Sequence, residues 1–574
     1  MEASKTNIGN IFNRSRILEI PHFQRSYVWE EPQWERFLED MKYISKLNHP
    51  YFMGSVILKQ QETPSSYKTG DMRSVVDGQQ RLTTITLFFK ALFLKNEIPD
   101  KFREIFQTHY GELILIHNYL DREVFEKILF DKELTDKDKE KQIYKCFDYF
   151  SNNITKDEID ANKLLGNVTF VGIDLSSQED EQQIFDTINS LGVSLTTAEL
   201  MKNFLFKDDI KAYINNWRNV FEKDDETNKY WEQKVTAGRN IRKNIDLFLE
   251  SYLMIKIQEK EIKVNSEDKE RYSIIDSVFN SYKQFIKKYE LNKDKVIEEI
   301  REYAGIYRDN INPDIVGQDI DKNNYTDRLN LVIFSLDTAT IIPYVLYICK
   351  QVQDSNEKND IFKYLETYLM RRIIVKATTK NYNQLFRSSL INNEVNSLDK
   401  FKEIIEKKSD KINFMPSDED VEKGFNESWL TNKQATGILY LIEKTIRSER
   451  NATELKYMNE YSLEHVMPKK WRNNWNKDVL TEEQKEKRDK ILRTLGNLTI
   501  ITKKLNSSIG DADWEIKKTG KSNHKGLNEY SNGIETFWKY LSKKNWNEDC
   551  IKERAEELCK LSVDKVWNLH GVLS

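Results

Sequence analysis

Glycine and proline are scarce in this chain, 19 and 9 among 574 residues. That excludes a collagen-like or low-complexity protein and, with abundant Lys, Glu, Leu and Ile, favours helix. Cysteine is scarcer still. Cys146, Cys349, Cys550 and Cys559 form no C-x-x-C pair, which argues against a zinc ribbon or redox dithiol and fits a reduced cytosolic setting. No apolar run reaches the roughly eighteen residues that span a bilayer. The longest, residues 340–348, holds Pro343. The start, Met1-Glu2-Ala3-Ser4-Lys5, has no apolar core of a signal peptide. A cytoplasmic protein without a membrane partner is expected. A strong charge imbalance is also missing: the net is −4, but residues 441–574 carry 26 Lys+Arg against 21 Asp+Glu, a local +5 that leaves −9 elsewhere. That excess permits nucleic-acid binding by the C-terminal part. What is present is 39% hydrophobic and 11% aromatic residues, enough to bury cores in two to four domains.

Residues 1–206 alternate strand and helix signals. Arg16-Ile17-Leu18-Glu19-Ile20 reads as a strand stopped by Pro21, and residues 51–58, 74–77 and 167–173 read as three more. A helix opens at Leu82-Thr83-Thr84-Ile85, and residues 121–150 carry others. Residues 207–395 read almost wholly helical, with apolar spacings of three and four such as Ile361, Tyr364, Leu365, Tyr368 and Leu369. These helices can pack within a chain or between chains of a homo-oligomer. Polar stretches at 258–271 and 318–326 read as loops or exposed helix ends. After a polar stretch at 392–400, Ser417 is the expected N-cap of a helix with acidic residues in its first turn. The expected fold is α+β and predominantly helical, in three domains: 1–206, 207–395 and 396–574.

Ser462-Leu463-Glu464-His465-Val466-Met467-Pro468 is followed by Leu495-Gly496-Asn497-Leu498-Thr499-Ile500 and then Lys504-Leu505-Asn506-Ser507. Neutral imidazole can deprotonate a water, and a carboxylate with an amide oxygen can hold a hard divalent cation against a phosphate. Two strands ending at His465 and starting near Gly496, closed by a helix near Asn506, would form a ββα unit around one cation.

Ser74-Val75-Val76-Asp77-Gly78-Gln79-Gln80-Arg81-Leu82 reads as a strand, a glycine turn and a helix start. Helix N-terminal amides and an arginine can cradle phosphate, with Asp77 holding Mg²⁺ or orienting a water. No G-x-x-x-x-G-K-[ST] loop occurs, so nucleotide chemistry here uses a different cradle. Tyr27 and Trp29 are aromatics able to stack on a base or line a pocket for a modification, whereas Trp34 reads as core.

These two constellations resemble the GmrSD-type restriction endonucleases, including SspE-like and BrxU-like single-chain members. The C-terminal residues, with Trp514 and Lys517 or Lys518 downstream, are similar to the family's HNH (His-Me finger) nuclease domain. Asp77-Gly78-Gln79-Gln80-Arg81, with Ile20-Pro21-His22-Phe23-Gln24-Arg25, Tyr51-Phe52-Met53-Gly54-Ser55 and residues 184–203, resembles its ParB-like N-terminal domain. The resemblance implies His465 as general base, Glu464 and Asn506 as ligands of Mg²⁺ or Mn²⁺, and Asn497 as a member of the catalytic set or a brace for it. It implies nucleoside triphosphate (GTP, ATP or UTP) at Gln24, Arg25, Asp77, Gly78, Gln79, Gln80 and Arg81, with Asp77 catalytic and Asn189 and Lys202 nearby. The implied activity is antiphage cutting or nicking of DNA bearing glucosylated cytosine or phosphorothioate. A nucleotide-regulated DNA-binding module without cleavage and an RNase or toxin are the alternatives.

Overall fold

The computed structural model describes residues 2–569 apart from 23, 47–48, 63–66, 177–195, 207–208, 238–239, 274–277, 407–411, 448–454, 476–479, 522–523 and 531–533. The fold is α+β, mostly helical, and divides into two units, residues 1–215 and 216–574.

In the first unit β1 (Glu2–Asn7), β2 (Arg16–Glu19), β3 (Tyr51–Gln61), β4 (Asp71–Asp77), β5 (Leu115–Ile116) and β6 (Val168–Leu175) form one mixed sheet in the order β1-β6-β3-β4-β2-β5. The β6/β3, β4/β2 and β2/β5 pairs are parallel, and β1/β6 and β3/β4 are antiparallel. Four of these strands are the expected ones. Polar, mostly exposed β1 shows no alternation because it lies at the sheet edge. The helix Gln79–Lys95 is buried nearly all round, with Leu82, Ile85, Phe88, Phe89 and Leu92 fully covered, so its sequence reads as a continuous apolar run. Phe88 packs edge-on against Phe150 of the helix Gln142–Asn153. Gly78, at φ +102°, starts the helix directly off β4, where a left-handed backbone favours glycine. That turn sets Asp77 at the strand end and Arg81 on the first helical turn.

The second unit is helical through most of its length, with an unexpected antiparallel pair of β7 (Lys234–Ala237) and β8 (Asn240–Lys243). Of the stretch expected as loops or exposed helix ends, 258–271, the last part is the helix Ser266–Tyr272, capped by the Asn265 side chain. Ser417 caps the helix Asp418–Glu427, and Asp420 completes a capping box. The boundary expected at 395/396 falls inside this unit. Arg371, on the helix Ser355–Ile374, donates to the Pro416 carbonyl at 3.0 Å, the Asp418 carboxylate at 2.6 Å and the Trp567 carbonyl at 2.9 Å. Glu366 of the same helix accepts Arg328 at 2.7 and 2.5 Å and the Trp567 indole at 2.8 Å. The C-terminal region thus closes on the middle helices through buried charge. Near its centre β9 (Tyr461–His465) and β10 (Leu498–Thr502) pair antiparallel, and the helix Lys503–Ile509 follows at once. Among the described residues no helix is long and apolar enough to cross a membrane.

Candidate functional site

His465 ends β9 opposite Leu498, and Glu464 lies opposite Thr499. Adjacent side chains of a strand point to opposite faces. Glu464 is buried and bonded to the ammonium of buried Lys517, on the helix Trp514–Thr519. Lys517 also donates to the His465 carbonyl at 2.8 Å and so pins the end of β9. Of the two candidate lysines it is the one that reaches the site; Lys518 pairs with Glu515. Burial raises the Glu464 carboxyl and lowers the Lys517 ammonium, each partly offset by the other's charge.

The His465 imidazole is half-buried on the other face. Burial, reinforced by Lys469, Lys517 and Arg493, holds its pKa down at about 4, so it is neutral at pH 7. Among the described residues neither ring nitrogen has a hydrogen-bond partner. Asn497 stands behind this site. It is fully buried; its Oδ1 accepts the Met467 amide at 2.8 Å and the Trp546 indole at 2.9 Å, and its Nδ2 donates to the Met467 and Leu492 carbonyls at 2.8 Å each. With its hydrogen-bonding groups taken up by Met467, Leu492 and Trp546, Asn497 is tied into the scaffold behind His465, the arrangement of a brace. Asn506 Nδ2 donates to the Ser462 hydroxyl at 2.9 Å and the Leu463 carbonyl at 3.0 Å, clamping the helix Lys503–Ile509 to β9 and leaving Oδ1 on the far side of the amide.

Glu464 and Asn506 supply hard oxygen donors of the kind Mg²⁺ or Mn²⁺ takes. Among the described residues no group of three His, Cys, Asp or Glu comes together. The donor set fits an ion that draws its other ligands from phosphate and water, with Lys517 competing for Glu464.

In the first unit Asp77 accepts Arg81 at 3.2 Å and the Ser55 hydroxyl at 3.3 Å. Arg81 also donates to the Met53 carbonyl at 3.3 Å and lies across Gly54, at φ +118°; a Cβ there would come within 2.1 Å of the guanidinium. No side chain caps the helix that begins at Gln79. The glutamines serve the backbone of the loop before the first long helix. Gln24 donates to the Val75 carbonyl at 2.8 Å and Gln79 to the Arg25 carbonyl at 2.8 Å. Gln80 donates to the Ser26 carbonyl and accepts the Val28 amide. Arg25 lies 3.7 Å from Glu199. Lys202 is buried on the helix Thr197–Phe206, and Asn189 lies outside the described residues.

Tyr27 is 2% exposed, its hydroxyl 2.6 Å from Thr84 Oγ1 and 3.0 Å from the Trp34 indole nitrogen that donates to it. A ring so enclosed offers no face to a base, so its expected stacking role is corrected to core packing beside Trp34. Trp29 is half-buried and packs on the edge of the core.

The model of the GmrSD restriction endonuclease N-terminal domain matches residues 8–206, and that of the GmrSD restriction endonuclease C-terminal domain matches residues 415–561. The chain belongs to the GmrSD restriction endonucleases. No curated protein matches it.

Membership makes this GmrSD chain a restriction endonuclease, with DNA as its partner. Several residues that organise its two sites carry no sequence signal. Asn118 donates to the Gln24 and Arg25 carbonyls at 3.1 and 2.9 Å, and Asp121 accepts the Tyr27 amide at 2.6 Å; both lie about ninety residues from the loop they hold. Arg554, fully buried, donates to the carbonyls of Leu495, Gly496 and Leu498 and so shapes the start of β10.

Proposed function

We propose that this endonuclease cuts or nicks modified DNA at an HNH-type site centred on His465, under the control of a nucleoside triphosphate bound by a ParB-like first unit. The reading rests on the neutral, half-buried imidazole at the end of β9, whose ring nitrogens have no partner among the described residues. A ring in that state takes a proton from water; the hydroxide attacks phosphorus, the bond from phosphorus to the departing sugar oxygen breaks, and that oxygen takes a proton from solvent. Lys517 and Asn497 keep the strand end fixed beneath the ring. Glu464 and Asn506 would hold Mg²⁺ or Mn²⁺, which when bound supplies stabilisation of transition-state charge.

In the first unit, Arg25, Arg81, Asp77 and the uncapped helix start at Gly78 and Gln79 support a phosphate site for GTP, ATP or UTP. Gln24, Gln79 and Gln80 hold the loop that carries Arg25. Trp29, half-buried at the edge of the core, is the aromatic residue we assign to a pocket for glucosylated cytosine or phosphorothioate.

The test is cutting of phage and plasmid DNA, modified and unmodified, with Mg²⁺ or Mn²⁺. His465→Ala is expected to lower the rate by roughly 10²–10⁴-fold, the usual worth of a general base; equal rates would remove His465 from the chemistry. Asp77→Ala is expected to lose nucleotide hydrolysis while the protein stays folded.

A further inference from the structure

Three arginines of the C-terminal region stack on tryptophans, and they differ in what neutralises them. Arg472 and Arg488 lie over Trp471 at 4.5 and 4.8 Å; Arg472 pairs with Asp489 and Arg488 with Glu548. Arg493 lies 4.5 Å from the ring of Trp429; among the described residues no carboxylate pairs with it, and the one its charge reaches, Asp489, is held by Arg472. Arg493 is exposed, and Trp429 is 44% exposed, although both belong to a folded neighbourhood rather than to a free tail. Trp429 sits between the helices Asp418–Glu427 and Asn432–Ile446. Arg493 sits between the helix Glu482–Ile491 and β10.

The scaffold ties this pair to the cutting site. Asn497 grips the carbonyl of Leu492, next to Arg493, and both the amide and carbonyl of Met467, two residues beyond His465. The backbone amide of Val466 donates to Asn497 at 3.0 Å. Exposed Lys469 follows on the same loop. A guanidinium held over an indole loses little freedom on binding and keeps N–H groups for an anionic acceptor. A carboxylate partner would occupy those groups; a phosphate diester fits them in charge and geometry.

We propose that Arg493, stacked on Trp429, is a DNA-phosphate contact that seats the strand beside His465, with Lys469 as a second cation on the same side. The proposal rests on His465 being the cutting site and deepens that reading by assigning the residues that hold the substrate. It concerns the backbone, so it applies to any base sequence and leaves recognition of the modification to other surfaces.

The test reads binding, not cutting. The full-length protein carrying His465→Ala binds a fluorescent unmodified duplex across a salt series, alone and with Arg493→Ala, Trp429→Ala or Arg472→Ala added. Loss of one phosphate contact lowers the slope of log K against log salt by about 0.9, so between 50 and 200 mM salt Arg493→Ala should lose about 3.5-fold less affinity than its parent. Arg472→Ala, whose charge is already taken by Asp489, should keep the parent slope. Trp429→Ala should weaken binding while thermal melting stays unchanged. A parent slope in Arg493→Ala, or an equal fall in Arg472→Ala, would overturn the contact. Unaltered binding by Trp429→Ala would remove the indole from it. A parent that binds no duplex at any salt overturns the contact as well, whereas active cutting by His465→Ala overturns the site reading alone.

Discussion

At the scale of single residues, the decisive groups are buried charges and one buried imidazole. Glu464 and Lys517 are each almost closed to solvent and satisfy one another beneath the end of β9. Removing one partner of such a pair leaves an unmatched buried charge, which costs about 3–5 kcal/mol, while removing both costs much less. Lys517→Met and Glu464→Gln are each expected to lower the urea midpoint of the second unit strongly, and the double variant to recover most of the loss; simple additivity would show that the pair is not coupled. His117 is the residue to follow with pH. It is buried between Thr83, 3.0 Å from its Nε2, and Asp121, and burial depresses its pKa. The unfolded chain therefore binds a proton below about pH 6.5 that the folded chain refuses, and stability falls as pH drops through that value. Between pH 7.5 and 5.5 the first unit should lose up to about 1.4 kcal/mol, the worth of one pH unit, and His117→Gln should flatten that loss in urea titrations. The carboxylates whose pKa is lowered here, such as Asp71 and Asp138, titrate below that window. Sequence motifs pointed to Glu464, His465, Asn497 and Asn506, yet which of them faces solvent and which faces a lysine was not legible. That depends on a residue some fifty positions away, and no local pattern encodes it.

At the scale of elements, the order strand, strand, helix was legible from His465, Gly496 and Asn506. The reason for Gly496 was not. A Cβ at that position would lie 2.1 Å from the Ile551 carbonyl of the helix Glu548–Leu561, so the helix backbone itself requires glycine there. Gly496→Ala is expected to force that helix and β10 apart, costing about 1–3 kcal/mol, the range of overpacked cores, and lowering the melting temperature of the second unit. An unchanged melting temperature would show that the contact relaxes freely. In the first unit, β2, β3, β4 and β6 were legible because their apolar residues cluster between turn signals. β1 and the β7/β8 pair were not: β1 is a polar edge strand, and the pair's short strands carry mostly polar residues. The glutamines of Asp77-Gly78-Gln79-Gln80-Arg81 looked like ligand groups in sequence, but in the fold they spend their side chains on the loop from Gln24 to Val28.

At the scale of the whole molecule, the chain divides into compact units of residues 1–215 and 216–574, and the residues from 396 on pack with the middle helices inside the second. From the middle of the chain Arg371 binds the Pro416 carbonyl, the Asp418 carboxylate and the Trp567 carbonyl, and Glu366 accepts the Trp567 indole. A fragment of residues 396–574 would leave those partners behind and expose buried polar groups. It is expected to lack a cooperative melting transition, while residues 216–574 melt as one; a cooperative 396–574 fragment would support the three-domain division. By itself the sequence determined the α+β class, most of the strands and helices, the ordered motifs at His465 and Asp77 and, through them, the family, because those features are set by local periodicity and short-range spacing. Only the tertiary structure decided that Tyr27 is core, that Lys517 holds Glu464, that Asn497 braces the loop, and that Arg493 rests on Trp429 with no ion pair among the described residues. Each of those outcomes depends on which distant side chain shares a desolvated space, and burial decides whether a charge or ring is spent inside the fold or left for a substrate.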